Sequence, residues 1–202
     1  RHIRSSGRAR MTSPALTVRP LTCEIWDDFE AVMGAHGGAR GCWCMHWRLS
    51  IAEWMENKGE GNRTAMRSLT EGATPPGVVG YLDAEPVAWC AFGDRANFPR
   101  MQRSTVLKPI DNEPVVSLAC LLIKKDHRSE HLSTAWIAAV CEYLAETSET
   151  RTVEAYPVEP PHGRKAGSDT AMTGIASAFT AAGFTEVARP KHDRPIMRYQ
   201  LP

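Results

Sequence analysis

A basic turn between a buried strand and a long helix is the stretch of this sequence best suited to bind an anion. Residues 115–123 form an apolar run with the length and β-branched content of a strand that is covered on both faces. A polar break follows at residues 124–130, and beyond it apolar residues recur at helical spacing. Such a turn points free backbone N–H groups and the positive helix end at whatever lies above it. An anionic ligand is therefore expected over this turn.

The octapeptide at residues 41–48 places Cys42, Cys44 and His46 close together, which suggests a metal site. A structural zinc site usually takes about four ligands, with its cysteines about two to four residues apart. Only a Cys-x-Cys pair is present and no second cluster answers it, so we expect no metal site. We interpret the stretch as an aromatic wall instead. Trp43 and Trp47 are predicted substrate-binding residues, because indole rings bind flat or cationic groups.

Length and charge limit the function classes that this chain can serve. Its 202 residues are 43% hydrophobic, which is enough for one domain with a proper core. Without the four arginines of residues 1–10, the chain has 20 basic and 23 acidic residues, a net charge of −3. That balance disfavours a surface that coats nucleic acid, and no apolar run approaches the ~18 residues of a membrane span.

The cysteines and the first ten residues bear on the compartment and on the domain bounds. Several of the six cysteines lie within apolar strand or helix patterns, so we expect reduced thiols and a cytoplasmic protein. Residues 1–10 precede the first methionine and have no apolar periodicity. We expect them to be a disordered leader or a tail from expression, and residues 11–202 to form a single domain.

The elements around the basic turn alternate in a way that predicts one mixed sheet flanked by helices. Ser50 and Asn62 are the predicted N-caps of two short helices, and Gly183 ends the last helix. Strands are predicted at residues 15–19, 77–82, 86–92, 115–123, 152–158, 184–188 and 196–201, and helices at 23–33, 51–57, 63–69, from about 131 onward and at 171–182.

This unit resembles the acyl-CoA-binding core of the GNAT superfamily of N-acetyltransferases, whose turn reads Gln/Arg-x-x-Gly-x-Gly/Ala. The frame here is Arg128-Ser129-Glu130-His131-Leu132-Ser133. Arg128 matches, Ser133 is small, and His131 replaces a glycine that lets the backbone approach a pyrophosphate closely. The order of elements also resembles the family over residues 15–201. Three stretches of the chain also resemble an uncharacterised bacterial branch of this superfamily: CWCMHWR, RSTVLKP and EAYPV.

The resemblance implies an α/β (α+β) fold with a mixed, mostly antiparallel central sheet, and acetyl-CoA as the acyl donor. The central strand would pair with the pantetheine arm through its backbone, and the turn would cradle the pyrophosphate. Phe179 occupies the position where many members have a tyrosine that protonates the leaving thiolate. The implied cofactor-binding residues are Leu121, Leu122, Ile123, Arg128, Ser129, Glu130, His131, Leu132, Ser133 and Phe179.

With Phe179 in place of the usual acid, Tyr156 is the predicted substitute and Glu154 the predicted base, acting through a water molecule. The two lie two positions apart on one strand, so they share a face. Both could also be ordinary strand residues, and Asp111 and Glu113 are weaker candidates for the base.

The resulting prediction is an N-acetyltransferase in which a small-molecule or peptide amine attacks acetyl-CoA directly. The alternative is a GNAT-fold protein that binds CoA or senses it without catalysis, because His131 and Phe179 both depart from the catalytic pattern. No nucleic-acid or membrane partner is expected, and a homodimer is compatible with the sequence.

Overall fold

Seven strands form one sheet in the computed structural model, which describes residues 16–161, 164, 166, 167 and 171–202. The predicted leader, residues 1–10, lies outside the described residues. The strands are β1 Leu16–Pro20, β2 Gly77–Leu82, β3 Glu85–Asp94, β4 Val116–Ile123, β5 Thr152–Ala155, β6 Thr185–Lys191 and β7 Arg194–Gln200. Their order across the sheet is β1-β2-β3-β4-β5-β7-β6. Only β4 and β5 run parallel, and every other neighbouring pair is antiparallel.

Helices cover both faces of the sheet, and each face has its own apolar core. The helices are α1 Trp26–Met33, α2 Ile51–Glu56, α3 Glu60–Leu69, α4 Pro99–Gln102, α5 Glu130–Thr147 and α6 Ala176–Ala181. On one face, α5 and α6 pack over β2 to β5 through buried residues such as Trp136 and Phe179. On the other face, α1 and α3 cover the β1 to β3 side. The predicted α/β fold with a mostly antiparallel sheet is confirmed.

Local sequence signals account for the element ends that were predicted well. Ser50 accepts a hydrogen bond from the Glu53 N–H, and the Glu53 carboxylate accepts one from the Ser50 N–H, which makes a complete capping box. Asp83 and Ala84 join β2 to β3 with φ of 48° and 70°, the backbone of a two-residue hairpin turn. These interactions involve near neighbours along the chain, so the sequence alone indicates them.

Two predicted helix bounds were wrong, because tertiary packing overrides the local pattern. Helix α3 begins at Glu60, and Asn62 is a fully buried residue inside it rather than its N-cap. Its side-chain amide donates to the Gly41 and Trp54 carbonyls. The last helix was predicted over residues 171–182, but Gly174 has φ +87° and separates a 3-10 turn, Ala171–Thr173, from α6.

Two connections also differ from the prediction. The stretch between β3 and β4, for which no helix was predicted, contains a 3-10 turn, Arg95–Asn97, and helix α4. Strand β5 ends at Ala155, three residues before the predicted end, and Val158 then bridges to Ile175 in parallel. Part of the connection at residues 160–169, for which neither a strand nor a helix was predicted, lies outside the described residues. No helix in the described part of the chain is both long and apolar enough to cross a bilayer.

Close contact between α5 and the sheet makes Gly80 a sensitive position. A Cβ atom at Gly80 would lie 2.5 Å from the Trp136 ring, which is fully buried. We expect Gly80→Ala to lower the free energy of unfolding by about 1–3 kcal/mol, because the packed indole must shift. Urea unfolding measures the change. Gly72→Ala is the matched control, since the nearest atom to its Cβ is 3.4 Å away; equal effects of the two variants would contradict the packing argument.

Candidate functional site

Strand β4 has a β-bulge in its pairing with β3, at the place where its pairing with β5 ends. The pairing with β3 passes from Cys120 opposite Ala91 to Leu118 opposite Phe92, so Ala119 is an extra residue. Strand β4 pairs with β5 only from Val116 to Leu118. Strand β5 itself ends at Ala155, opposite Leu118, so it does not pair with β4 beyond this point. We call the space beside this unpaired part of β4 the gap.

Two of the three predicted backbone positions face the gap. Lys124 N–H donates to the Val87 carbonyl of β3 at 2.8 Å. Alternate residues of an antiparallel pair direct their backbone groups to the same side, so Leu122 also faces β3. Leu121 and Ile123 therefore direct their N–H and C=O groups away from β3, toward the gap. The Ile123 carbonyl confirms this direction, because it accepts a hydrogen bond from Arg128 Nε at 2.8 Å.

The turn before α5 presents Arg128 at the end of this free edge. Arg128 is exposed, and its Nη groups have no hydrogen-bond partner in the described part of the chain. The Ser129 hydroxyl caps α5 by accepting from the Leu132 N–H, and the Ser133 N–H donates to the Ser129 carbonyl. The Leu132 and Ser133 N–H groups are therefore already bonded to Ser129, and the predicted contact of these two residues with the cofactor stays a prediction.

The Ser129 and His131 N–H groups remain unbonded as far as the described residues go. Glu130 begins α5, and its side chain lies outside the described part. His131 is exposed, and no residue of the turn has a left-handed φ. The histidine therefore fits its backbone without strain.

Phe179 lies at the other end of the gap, beside Leu121. A Cβ atom at Gly174 would meet the Phe179 ring at 2.6 Å and Leu121 Cδ1 at 3.6 Å. The ring is fully buried and packs edge-on against Phe184 with centroids 5.0 Å apart. The structure thus brings together the Leu121 edge and Phe179, two predicted cofactor-binding positions more than fifty residues apart in sequence.

The predicted base and acid lie in a buried ion-pair network below the gap. Both Glu154 oxygens accept from Arg95 at 2.9–3.2 Å, and Oε2 also accepts from Arg198 Nε at 2.8 Å. The Tyr156 hydroxyl donates to Glu154 Oε1 at 2.8 Å and lies 2.9 Å from the Ser117 hydroxyl. Glu154 and Tyr156 are each 1% exposed.

This environment favours structural roles for both residues. A carboxylate that neutralises two guanidinium groups and accepts a phenol has no lone pair aimed at the gap. Burial and the Glu154 charge raise the pKa of Tyr156. Arg198 in turn holds Asp111 and Glu113, and its hydrogen bonds lower the pKa of Asp111 to about 2. The weaker base candidates are therefore also engaged.

Only one of the two predicted substrate-binding tryptophans lies near the gap. Trp43 packs in the core over α1, with ring centroids 6.4 Å from Trp26 and 6.1 Å from Phe29, so it does not line an accessible wall. Trp47 belongs to a third apolar cluster, beside the bulge, which we call the Trp47 cluster. Its buried members are Trp47, Phe98, Met101, Leu107, Ala119, Tyr156 and Ile196.

The Trp47 cluster is closed, and a hollow beside Tyr156, Met101 and Leu107 is too narrow for a water molecule.

Sequence reasoning missed Arg95 and Arg198, which hold Glu154. The strand order could have found Arg198, which faces Glu154 across β5 and β7, whereas Arg95 lies in a 3-10 turn and has no such signal. Nowhere in the described residues do three or more His, Cys, Asp or Glu side chains form a group that could hold a metal ion.

Loss of the Glu154 charge should destabilise the fold. Glu154→Gln leaves Arg95 and Arg198 buried beside a neutral amide, and we expect it to lower the free energy of unfolding by about 3–5 kcal/mol. Urea unfolding at pH 7 checks this. Glu85→Gln, which breaks the exposed pair with Lys124, is the control and should change stability little. Similar small effects of both would show that the buried network is not needed for stability.

Comparison with known proteins gives the fold a name. No family model matches this sequence, and no curated protein has a significantly similar sequence. Among solved structures, the aminoglycoside acetyltransferase AAC(6')-Ib with ribostamycin and coenzyme A is 17% identical, with 92% of this chain and 93% of that chain covered and a TM-score of 0.51.

A GNAT-family acetyltransferase from Streptococcus agalactiae is 12% identical, with 92% and 95% of the two chains covered and a TM-score of 0.52. An aminoglycoside N(6')acetyltransferase from Legionella pneumophila is 13% identical, with 95% of both chains covered and a TM-score of 0.50. At these identities the likeness concerns the fold alone. The chain therefore has the fold of the GNAT acetyltransferases.

Proposed function

We propose that this protein transfers an acetyl group from acetyl-CoA to an amine. The observation that carries the proposal is the end of the β4–β5 pairing at Leu118, which leaves the backbone groups of Leu121 and Ile123 directed into the gap. An extended amide chain can pair with such an edge as a further strand does. The free edge, Arg128 and the unbonded N–H groups at the start of α5 all fit a CoA thioester.

Each part of the gap has a separate task in this proposal. Arg128 Nη groups and the N–H groups of Ser129 and His131 hold the phosphates. Acetyl-CoA supplies the reactive thioester. The Leu121 N–H donates to the thioester carbonyl oxygen, whose negative charge grows as the amine nitrogen attacks the carbonyl carbon. The C–S bond then breaks, the thiolate leaves, and a proton passes from the amine to water.

Glu154 and Tyr156 have a positioning role in this proposal instead of the predicted base and acid roles. Arg95 and Arg198 keep Glu154 fixed, and Glu154 fixes the Tyr156 hydroxyl. The reaction then depends on an acceptor amine that loses its proton to solvent and on water as the acid. Such a site works best with amines of low pKa and turns over slowly.

A GNAT-fold protein that binds CoA without catalysis is the second candidate. Phe179 favours it, because the ring beside Leu121 has no hydroxyl to protonate a thiolate. Both candidates require the phosphate contacts of the α5 turn, whereas only the first requires transfer to an amine. Binding and turnover therefore have to be measured separately.

Reversal of the Arg128 charge should abolish CoA binding. Acetyl-CoA at 100 times its dissociation constant would stabilise a protein that binds it only when folded by about 2.7 kcal/mol, seen as a rise in melting temperature. We expect Arg128→Glu to remove most of that rise in a thermal-shift titration. Its second effect, loss of the bond to the Ile123 carbonyl, should be visible in the apo melting temperature.

Lys58→Glu is the control for this change, because it alters the net charge equally at an exposed turn between α2 and α3. It should leave the acetyl-CoA shift intact. A parent protein that shows no shift at millimolar acetyl-CoA would disprove both candidate functions.

A hydroxyl at position 179 should show whether proton supply to the thiolate limits turnover. The Phe179 ring edge faces Gly174 and Leu121, so a tyrosine there would extend its hydroxyl toward the thioester end of the gap. On an accepted amine, Phe179→Tyr should raise turnover by about tenfold to 100-fold, because an acid then assists departure of the thiolate. Release of the CoA thiol measures the rate.

Phe184→Tyr is the matched control, since it adds a hydroxyl to the same buried cluster behind Phe179. It should not raise turnover. No gain from Phe179→Tyr in a protein that still binds acetyl-CoA would show that proton supply to the thiolate does not limit the rate.

A further inference from the structure

Two cysteine thiols meet in the apolar core between α1 and the sheet. The Cys44 thiol donates to the Cys120 sulfur at 3.2 Å, although the two residues are 76 positions apart in the chain. Both cysteines are free, and they are 6% and 9% exposed. A disulfide has an S–S bond of about 2.05 Å, so a small movement is enough to join these two sulfur atoms.

The backbone that carries Cys44 is strained. Trp43 and Cys44 have φ values of 46° and 58°, in the left-handed region that side chains other than glycine rarely adopt. The Trp89 indole N–H donates to the Cys44 sulfur at 2.9 Å and so helps to hold it beside β4. Strain that the surrounding packing keeps in place is concentrated at functional sites. The strain is therefore a second observation, independent of the sulfur contact, that marks Cys44.

Cys120 links this thiol pair to the gap. It lies between the bulged residue Ala119 and Leu121, in the part of β4 that has no partner in β5. The peptide unit that joins Cys120 to Leu121 contains the Leu121 N–H, which is directed into the gap. A displacement of Cys120 therefore displaces that N–H as well.

The two sulfur atoms differ in their readiness to react. The hydrogen bond to Cys120, together with burial, raises the pKa of Cys44, so this thiol keeps its proton near pH 7. Cys120 accepts that hydrogen bond and is the more exposed of the two, so an oxidant meets its sulfur first. A strand edge with few hydrogen bonds opens locally more easily than a fully paired strand, which admits a small oxidant.

We propose that Cys44 and Cys120 are a redox-sensitive pair, which hydrogen peroxide converts into a disulfide that lowers turnover at the gap. Cys120 releases its proton to water, and its sulfur attacks one peroxide oxygen. The O–O bond breaks and hydroxide leaves, which gives a sulfenic acid. The Cys44 sulfur then attacks the sulfenic sulfur, the S–O bond breaks, and the departing hydroxide takes the Cys44 proton. Two thiols and one peroxide thus become one disulfide and two water molecules, and two electrons pass from sulfur to oxygen.

The disulfide affects the gap because its bond is shorter than the present contact of 3.2 Å. The two sulfur atoms have to approach each other by about 1 Å. The peptide unit between Cys120 and Leu121 carries part of that movement to the Leu121 N–H, and a misplacement of about 1 Å can lower a rate by about 100-fold. This effect on turnover rests on the proposed acetyl transfer, whereas formation of the disulfide does not.

Peptide mapping of the peroxide-treated protein tests the pairing. The protein is alkylated in denaturant and cleaved with trypsin without reduction. Residues 41–48 form one tryptic peptide, which contains Cys42 and Cys44, and residues 104–124 form another, which contains Cys120. We expect these two peptides to be linked, with the sum of their masses less two hydrogen atoms. Fragmentation between Cys42 and Cys44 identifies the linked residue. No link, or a link through Cys42, would overturn the inference.

Turnover before and after peroxide treatment tests the effect on the gap. On an accepted amine, we expect the parent to lose about tenfold in rate, and dithiothreitol followed by desalting to restore it. Oxidised methionine does not recover in this way, because it needs a dedicated reductase. Cys44→Ser should keep its rate after treatment. Cys90→Ser is the matched control, since it removes another buried thiol, which donates to the Ala91 carbonyl, and it should respond as the parent does.

Cys120→Ser removes the other partner of the pair and should resist peroxide as Cys44→Ser does. Melting temperatures show whether each variant is folded, and the peptide mapping needs no variant at all. Equal losses in Cys44→Ser and the parent, or a linked parent with unchanged turnover, would overturn the inference and leave acetyl transfer intact. No acetylation of any amine would overturn the proposed function itself, and the acetyl-CoA thermal shift before and after oxidation would then measure the effect of the disulfide on the gap.

Discussion

The extra residue Ala119 is the constraint on which the candidate site depends. The bulge lies where the pairing of β4 with β5 ends, at Leu118, although β4 stays paired with β3 as far as Ile123. Backbone groups in a sheet interior need partners, and beyond Leu118 those on one side of β4 have none in β5. Arg128 satisfies the Ile123 carbonyl from outside. The remaining edge at Leu121 stays available to a ligand, so the same end of pairing that costs the sheet hydrogen bonds creates a place for an extended amide chain.

A side-chain network holds the strands together on the side of the gap where β4 and β5 are still paired. There Ser117, Glu154 and Arg198 face one another across β4, β5 and β7. Glu154 lies between two guanidinium groups in an interior of low dielectric, where removal of one partner leaves an uncompensated charge. The network therefore ties the strands together at the closed end of the gap. It also engages the carboxylates of Asp111 and Glu113 through Arg198.

The central strand, the turn and α5 were predictable because their signals are local. The apolar run predicted at residues 115–123 became β4, Val116–Ile123, and the Ser50 cap and the hairpin turn at Asp83 also follow from neighbouring residues. The Asn62 cap and the continuous last helix failed for a common reason. Asn62 hydrogen-bonds to Gly41, 21 positions away, and Gly174 takes a left-handed backbone next to Phe179. Contacts of this kind leave no pattern in a short window of sequence.

By itself, the sequence determined the order of elements, the strand–turn–helix unit with Arg128 at its turn, and the absence of a tyrosine hydroxyl at Phe179. Periodicity and residue type are enough for these features, since each depends on residues close in the chain. Only the tertiary structure decided which backbone groups face the gap, that Trp43 lies in the core while Trp47 lies beside the bulge, and that Glu154 is bound by Arg95 and Arg198. Those outcomes depend on strand register and on the one-residue bulge, and a shift of one residue would turn every side chain to the opposite face.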